Sequence, residues 1–190
     1  MALAAGHKGI ALEWIDVDSR DRSPVEAVSG QALVPVLVEG DEIVFDSPAI
    51  LEWLERRYPD PPLYPHEPAR RAEVQVFVDW FNQVWKCPPN LIAAELERPQ
   101  PDAERIDELG SRMRAALDVF ESLLDGRGYL YGKFGVADVI AFPFLKYAAF
   151  GLPPGDDELF HRVLVEHMPL GDRHPRLRSW STRVDAHPRS

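Results

Sequence analysis

Cysteine is almost missing from this chain of 190 residues, since Cys87 is the only one. One cysteine excludes a disulfide within the chain and a metal cluster built on cysteine ligands. Such scarcity is typical of a protein kept in a reducing compartment, so we expect a cytoplasmic protein. The six histidines do not supply the missing ligands, because their spacing matches no metal-binding pattern, and we expect no metal.

Positive charge is also in short supply, with 21 lysines and arginines against 31 aspartates and glutamates, and the net charge is −10. A surface that binds nucleic acid needs a basic face to meet the phosphates, so this balance argues against such a partner. A small anionic ligand is still compatible with the charge. The first turn of a helix supplies local positive potential even on an acidic protein.

Long apolar runs are absent as well. The best candidate for a membrane span, residues 136–150, is too short and is interrupted by Asp138, Pro143 and Lys146. The first residues lack the apolar core and cleavage site of a signal peptide. The chain contains neither a glycine-rich dinucleotide motif nor a P-loop, which disfavours nucleotide-binding folds. After these exclusions we expect a globular protein that does not act at a membrane.

The first third of the chain alternates between short helices and strands. Residues 34–38 and 43–45 are two β-branched runs separated by turn residues, which predicts a β-hairpin. Ser47 and Pro48 begin the best-defined helix, with Ser47 as its N-cap. The other expected elements are the end of a helix at residues 1–9, a strand at 10–17, a short helix at 24–28 and the helix at 48–58.

Five prolines between residues 58 and 68 cannot continue a helix, and they indicate a stiff joint between two domains. We therefore place the domains at residues 1–63 and 69–190. Beyond the joint the apolar spacing is helical throughout. Helices are expected from residue 69 to 85, again at 91–97 after an interruption at Pro88 and Pro89, and at 102–124, 136–150 and 175–184.

Several motifs are similar, in order and spacing, to those of the glutathione transferase family. Residues 29–35 resemble the Asn-Pro-Gln-x-x-Val-Pro segment of its zeta-like, maleylacetoacetate isomerase branch. Residues 45–47, Phe-Asp-Ser, resemble the acidic-Ser motif that holds the γ-glutamyl group. Residues 135–138, Gly-Val-Ala-Asp, with Pro143 downstream, resemble a motif of the helical domain. Weaker similarities at residues 7–9, 56–59 and 174–180 extend the resemblance over essentially the whole chain.

The resemblance implies the fold class, an α/β thioredoxin-like N-terminal domain followed by an all-α helical domain. It implies glutathione as co-substrate on the first domain and a small electrophile in the cleft between the domains. It also implies a homodimer.

The resemblance assigns glutathione binding to Gln31, Val34, Pro35, Asp46 and Ser47. Pro35 resembles the family's cis-proline, which would turn the Val34 backbone toward the cysteinyl part of glutathione. Asp46 would pair with the γ-glutamyl ammonium, while Ser47 and the amides of its helix would receive the carboxylate. Each residue also has a local interpretation: Ser47 as an N-cap, Asp46 as a turn acid and Gln31 as a solvated loop amide.

Four aromatic residues form a candidate pocket for the electrophile, namely Trp80, Phe81, Trp85 and Tyr147. The same spacing is typical of a helical core, so both interpretations are open.

Gly135 and Asp138 are interpreted as structural. With Gly135 as N-cap, Asp138 stands at the third helical position and can accept a hydrogen bond from the Gly135 amide. Glycine replaces the family's serine or threonine, so the reciprocal bond is missing.

The family's thiol-activating residue follows its first strand, and by this resemblance both would lie before Met1. No residue of the chain is therefore assigned a catalytic role. We expect a thioredoxin-like sheet without its first strand, which leaves strand edges unpaired. Three explanations are open: a natural start further upstream, a truncated chain, or a sheet closed by re-pairing or by strand exchange in a dimer.

The sequence thus predicts a glutathione transferase-like enzyme that conjugates glutathione to an electrophile or uses it to isomerise a cis double bond. Two alternatives are a non-catalytic binding or scaffold protein of the same fold, and an enzyme of this fold that acts without glutathione.

Overall fold

The structure, a computed structural model, describes residues 1–18 and 21–190. Within them the chain forms two units. Unit 1 comprises Met1–Pro65 and His187–Ser190, and unit 2 comprises His66–Ala186. The chain therefore leaves unit 1 after Pro65 and returns to it for its last four residues.

Unit 1 contains the predicted β-hairpin. Strands β1 (Val36–Glu39) and β2 (Glu42–Phe45) are antiparallel, with Val36 opposite Phe45 and Glu39 opposite Glu42. Gly40 and Asp41 form the turn, and the φ of 58° at Gly40 is a conformation that glycine adopts without steric cost. Among the described residues, these two strands form the sheet of unit 1.

Unit 1 also contains three helices, and all three were predicted: α1 (Ala2–Lys8), α2 (Ser23–Ser29) and α3 (Ser47–Arg57). Helix α1 ends at Gly9, whose φ of 66° is the left-handed conformation of a helix C-cap. Helix α3 buries Ile50, Leu51, Trp53 and Leu54 on one face, which anchors it in the core of unit 1.

The strand predicted at residues 10–17 is not formed. This segment is irregular, and two of its N–H groups donate to Ser190 and not to a neighbouring strand. The Leu12 amide donates to Ser190 Oγ (2.8 Å), and the Trp14 indole donates to the main-chain oxygen of Ser190 (2.9 Å). Ile15 is 81% exposed, so the apolar alternation does not face a core. A β-strand needs a neighbouring strand to pair with as well as alternating apolar and polar residues, and the sequence of this segment shows only the alternation.

A buried ion pair ties the proline-rich segment to α3. The Lys8 ammonium donates to Glu55 Oε2 (2.7 Å) and to the carbonyls of Tyr58 (2.6 Å) and Pro61 (3.1 Å). Glu55 also accepts the amide of Leu63 at 3.0 Å. Because the Lys8 side chain is fully shielded, these bonds replace water on both charges.

Unit 2 is helical, as predicted. Its helices are α4 (Pro68–Trp80), a π-helical turn (Phe81–Trp85), α5 (Cys87–Leu96), α6 (Ala103–Leu123), α7 (Val136–Phe150), α8 (Leu159–His167) and α9 (Pro175–Asp185). Glu67 and Asp102 cap α4 and α6 with their carboxylates, since each accepts two amide hydrogen bonds from the first turn.

The predicted interruption at Pro88 and Pro89 is wrong. Both prolines lie in the first turn of α5, where the missing N–H has no intrahelical acceptor to lose. The irregularity lies one turn earlier, in the π-helical residues Phe81–Trp85. Helix α8 was not predicted, although its buried Val163, Leu164 and His167 follow helical spacing.

An aromatic cluster fills the centre of unit 2. Phe81 stacks on Trp85 at 4.5 Å between ring centroids, and Phe77, Phe120 and Phe144 surround them. Helix α7 is buried along most of its length. Over the described ranges, no helix combines the length and the apolar character needed to cross a membrane.

Candidate functional site

The hairpin register places the two halves of the predicted glutathione motif at the same end of unit 1. Val36 pairs with Phe45, so Pro35 and Asp46 are the next residues beyond that pair on each strand. The peptide bond between Val34 and Pro35 is cis, and the Val34 side chain is 49% exposed. The backbone before β1 therefore lies beside the start of α3, open to solvent.

Asp46 adopts an unusual backbone conformation directly before α3. Its φ is 71° and its ψ is 128°, and it is the one non-glycine residue with positive φ in the described part of the chain. Such a conformation is costly for a residue with a side chain and is concentrated at functional sites. The carboxylate of Asp46 is exposed and does not cap the helix. It is therefore available to pair with a cation.

Ser47 is the first residue of α3, not its N-cap as predicted. The N-cap position belongs to Asp46, whose carbonyl accepts the amide of Ile50 at 3.0 Å. Pro48 has no N–H, so Ser47 and Ala49 supply the remaining amides of the first turn, and no acceptor for either is found in residues 1–18 and 21–190. Ser47 is half-buried and Ala49 exposed. Two amides and the positive end of the helix can therefore receive an anion beside the half-buried Ser47.

The Gln31 side chain is bound within its own loop. Its amide nitrogen donates to Ser29 Oγ (3.0 Å) and to the Leu33 carbonyl (2.9 Å), and its oxygen accepts the Leu33 amide (2.5 Å). These bonds hold the loop that leads into Val34. The arrangement suits a positioning role better than the direct ligand contact expected from the sequence.

The four aromatic residues of the predicted pocket do not form one group. Phe81 and Trp85 are core residues with exposures of 0% and 3%, and Trp80 packs on Phe77 and Phe120. The indole N–H of Trp85 is buried and has no acceptor among the described residues. Their part in a pocket stays a prediction.

Tyr147 belongs to a second cluster. Its ring stacks on His161 at 4.5 Å, and its hydroxyl donates to Asp156 Oδ2 at 3.4 Å. Burial, followed by the neighbouring Asp156 charge, raises the pKa of Tyr147 to about 12. The hydrogen bond from His161 holds the pKa of Asp156 below its ordinary value. The cluster fastens the loop before α8 to α7.

Asp138 lies in the interior of unit 2. Its carboxylate accepts the amides of Gly135 (3.0 Å) and Leu130 (3.0 Å) and the indole N–H of Trp180 (2.7 Å). Burial outweighs these bonds and raises the pKa of Asp138 to about 6. With only 1% exposure, the carboxylate joins α7, α9 and the preceding loop and is closed to a ligand.

Sequence reasoning missed two features of the site. The first is the positive φ of Asp46. The sequence does not signal it, because a positive φ is expected at glycine and this position is not a glycine. The second is the amide of Ala49, which Pro48 leaves as the next donor after Ser47. The Ser-Pro pair was the available signal, since a proline in the first turn removes one of the amides of the helix start.

Comparison with known proteins identifies the family. The family model described as glutathione S-transferase, N-terminal domain, matches residues 1–62, and the one described as glutathione S-transferase, C-terminal domain, matches residues 103–183. A glutathione S-transferase of Arabidopsis thaliana is 30% identical over 152 residues, which are 74% of this chain and 71% of that protein. The chain belongs to the glutathione S-transferase family. This confirms the resemblance found in the sequence.

Two other relatives of this transferase-family chain have different names. A maleylacetoacetate isomerase of Pseudomonas aeruginosa is 32% identical over 166 residues, which are 85% of this chain and 71% of that protein. The FtsZ-localized protein A of Caulobacter vibrioides is 28% identical over 185 residues, which are 90% of this chain and 80% of that protein.

Solved structures agree with the fold. A glutathione S-transferase from Rhodospirillum rubrum superposes with a TM-score of 0.74 at 28% identity, covering 98% of this chain and 82% of that one. A theta class glutathione S-transferase from Xanthomonas axonopodis pv. citri, solved with glutathione bound, gives a TM-score of 0.72 at 25% identity and covers 98% and 86%. The fold class, a thioredoxin-like α/β domain with a small sheet and a helical domain, is confirmed.

Proposed function

We propose that the chain binds glutathione on unit 1, at the end of the hairpin where Val34 and Pro35 lie beside Asp46 and Ser47. The observation that carries this proposal is the start of α3. There an exposed carboxylate that caps no amide stands directly before two helix amides with no acceptor in the described residues. The Asp46 carboxylate and the two amide donors suit the α-amino acid end of a γ-glutamyl group, which presents an ammonium and a carboxylate side by side.

Each group of the ligand has a partner of opposite character. The carboxylate accepts from Ser47 Oγ and the amides of Ser47 and Ala49, and the ammonium pairs with Asp46. The backbone N–H and carbonyl of Val34 form strand-like hydrogen bonds with the cysteinyl residue of the ligand. Val34 has these groups to offer because it precedes Val36, where the pairing between β1 and β2 begins. Gln31 contributes by holding the loop.

The proposed reaction is nucleophilic attack by the glutathione thiolate on a small electrophile. The thiol releases its proton to the solvent, and the thiolate sulfur then forms a bond to the electrophilic carbon. In conjugation to an aryl halide, the carbon–halogen bond breaks and the halide leaves. In isomerisation, the π bond of the cis double bond opens when sulfur adds, and the carbon–sulfur bond breaks again after rotation, which restores the double bond and the thiolate. We assign no residue of this chain the role of thiol activator.

A homodimer in the cytoplasm belongs to the same proposal, as does an apolar electrophile pocket in unit 2. Of its four predicted residues, Trp80 is the one whose side chain is not buried, so it fits such a pocket better than Phe81, Trp85 and Tyr147 do.

A non-catalytic role is the second candidate, because one relative over 185 residues of this chain carries the name FtsZ-localized protein A. In that role the chain would serve as a binding or scaffold protein. A glutathione-independent enzyme of the same fold is the third. Steady-state conjugation of glutathione to a reactive aryl halide separates the first candidate from the other two.

Calorimetric titration of glutathione into the protein and two serine variants tests the binding proposal. Ser47→Ala removes a hydroxyl from the carboxylate site, and we expect affinity to fall about tenfold, as for the loss of one hydrogen bond to a charged group. Ser23→Ala is the matched control, because Ser23 also begins a Ser-Pro helix in unit 1. Equal affinity of Ser47→Ala and the wild type would contradict the assignment of Ser47.

A further inference from the structure

One face of the β-hairpin is apolar and exposed. Residues that lie opposite each other in an antiparallel pair point to the same face of the sheet. One face therefore holds the pair Val36 and Phe45 and the pair Val38 and Ile43. Val38 is 54% exposed, Ile43 44% and Phe45 47%. Large apolar side chains gathered at the surface in this way are typical of a place where another protein binds.

The other face of the hairpin is fastened to α3 and its C-cap. The indole N–H of Trp53 donates to Glu42 Oε2 at 2.9 Å, and the Tyr58 hydroxyl donates to Glu39 Oε1 at 3.2 Å. The Arg57 guanidinium also lies 3.5 Å from Glu39 Oε2. Because these contacts hold the hairpin against the helix, a partner would meet a preformed surface.

The turn decides which main-chain groups point out of the hairpin. In a two-residue turn, such as the one at Gly40 and Asp41, the carbonyl of the residue before the turn accepts the amide of the residue after it. Glu39 and Glu42 are therefore a hydrogen-bonded pair. Hydrogen-bonded and non-hydrogen-bonded pairs alternate along an antiparallel ladder. Both apolar pairs are thus non-hydrogen-bonded, and their N–H and carbonyl groups point away from the hairpin.

The outer edge of β1 has room for another strand. Within residues 1–18 and 21–190, the sheet consists of β1 and β2 alone, and the outward groups of these strands make no backbone hydrogen bond outside the hairpin. Val36 and Val38 therefore present two N–H and two carbonyl groups along this edge. An edge with unpaired main-chain groups is a template for a strand of another chain.

We infer that the outer edge of β1 pairs with the same edge of a second copy of this chain, so that two hairpins form one sheet of four strands. The inference rests on the homodimer of the proposed function and assigns a surface to it. The strands run antiparallel about a twofold axis at Leu37, which places Val36 opposite the partner's Val38. Each of the two symmetry-related pairs exchanges two main-chain hydrogen bonds, and the same patch serves both protomers.

This register avoids contact between like charges. Glu39 lies opposite the partner's Pro35, and the two acidic turns lie at opposite ends of the sheet, which matters for a chain of net charge −10. Because Glu39 is the last residue of β1, pairing stops before the partner's Val34. The main-chain groups of Val34 are then left for the proposed contact with glutathione.

Charge also favours the edge of β1 over the edge of β2. The corresponding pairing of two β2 strands, about a twofold axis at Val44, would place Glu42 opposite the partner's Asp46. Carboxylates directly opposite each other destabilise a strand pair, and this contact would occur twice. The second copy therefore fits β1 and not β2.

Sedimentation equilibrium of two proline variants tests the surface. Val38→Pro removes an N–H from the outer edge of β1, and Ile43→Pro removes one from the outer edge of β2. The two residues lie opposite each other in a non-hydrogen-bonded pair, so neither proline removes a hydrogen bond within the hairpin. Ile43→Pro is therefore the matched control for a general effect of proline on the hairpin.

We expect the wild type and Ile43→Pro to dimerise with the same dissociation constant. Val38→Pro loses one hydrogen bond of the interface from each protomer, so its dissociation constant should rise about thirtyfold. In the wild type, amide hydrogen exchange at Val36 and Val38 should slow as the protein concentration is raised through the dissociation constant. Exchange at Ile43 and Phe45 should not change.

A wild type that stays monomeric would overturn both the homodimer of the proposed function and this surface. A dimer that is equally tight in Val38→Pro, or that slows exchange at Ile43 and Phe45 instead, would leave the homodimer in place and overturn the surface alone. These samples contain no glutathione, so a failure here is separate from a failure of glutathione binding, which the titration of Ser47→Ala measures.

Discussion

Asp138 shows how one carboxyl group can organise a helical unit while being poorly placed to ionise. Three N–H donors from three parts of unit 2 converge on it, from Gly135, Leu130 and Trp180. Hydrogen bonds favour the carboxylate, whereas removal from water disfavours it. Removal from water is the larger effect here, and it raises the pKa from 3.8 to about 6.

This pKa predicts a defined loss of stability with rising pH. The unfolded carboxyl ionises near pH 3.8 and the folded one near 6, so the folded protein binds more protons between those values. The free energy of unfolding therefore falls as pH rises through this window. At about 1.4 kcal/mol for each unit of pKa, the contribution amounts to roughly 3 kcal/mol.

Urea unfolding of the wild type and Asp138→Asn at pH 4 and pH 7.5 measures this effect. Asparagine cannot titrate, so the stability advantage of the wild type over the variant should be larger at pH 4 than at pH 7.5. An advantage that is the same at both pH values, or that grows with pH, would show that the three hydrogen bonds outweigh burial.

Single residues were predictable from the sequence where their role is local. The spacing from Gly135 to Asp138 indicated their hydrogen bond, because both residues belong to one helix start. The bonds from Leu130 and Trp180 to the same carboxylate arise from tertiary packing, which no spacing encodes. Ser47 was misplaced by one position for a similar reason, since the conformation of Asp46 decides where α3 begins.

Helix α6 contains a glycine, Gly110, at a position where helix propensity alone favours alanine. Gly110 is buried in the middle of α6, where alanine is more favourable by about 1 kcal/mol. A Cβ atom there would, however, lie 2.4 Å from Nδ1 of His167, a buried residue of α8. We expect Gly110→Ala to lower the free energy of unfolding in spite of the better propensity, because the overlap forces α6 and α8 apart.

Ser111→Ala provides the comparison on the same helix. Ser111 is exposed, so its replacement gains helix propensity without a clash, and stability should rise by a few tenths of a kcal/mol. Chemical unfolding of both variants measures the change in the free energy of unfolding, which should be a decrease for Gly110→Ala and an increase for Ser111→Ala. A Gly110→Ala protein as stable as Ser111→Ala would mean that α6 and α8 have room to adjust.

Elements were predictable where a periodic pattern coincides with a start or stop signal. Helices α3, α6, α7 and α9 and the hairpin have both, and their observed bounds lie close to the expected ones. Residues 10–17 have alternation without a partner strand, and they are irregular. Pro88 and Pro89 were treated as breakers although a proline pair is tolerated in a first turn.

At the scale of the whole molecule, the order of motifs carried more information than any one of them. A hairpin with its proline, an acidic-Ser helix start and a buried Gly-Val-Ala-Asp helix occur in the order of the glutathione S-transferase family, and the comparisons confirm that membership. The substrate is not encoded in this way. The aromatic residues of unit 2 that would select it have the same spacing as core residues, and Phe81 and Trp85 are in fact buried.

The central claim is that glutathione binds at the start of α3 in unit 1. A titration of glutathione into ¹⁵N-labelled protein, followed through the backbone amide peaks, tests it most directly. The amides of Val34, Ser47 and Ala49 should shift together and saturate at one glutathione concentration, because they line the proposed contact. Amide shifts confined to residues 66–186, or peaks unchanged at saturating glutathione, would contradict the claim.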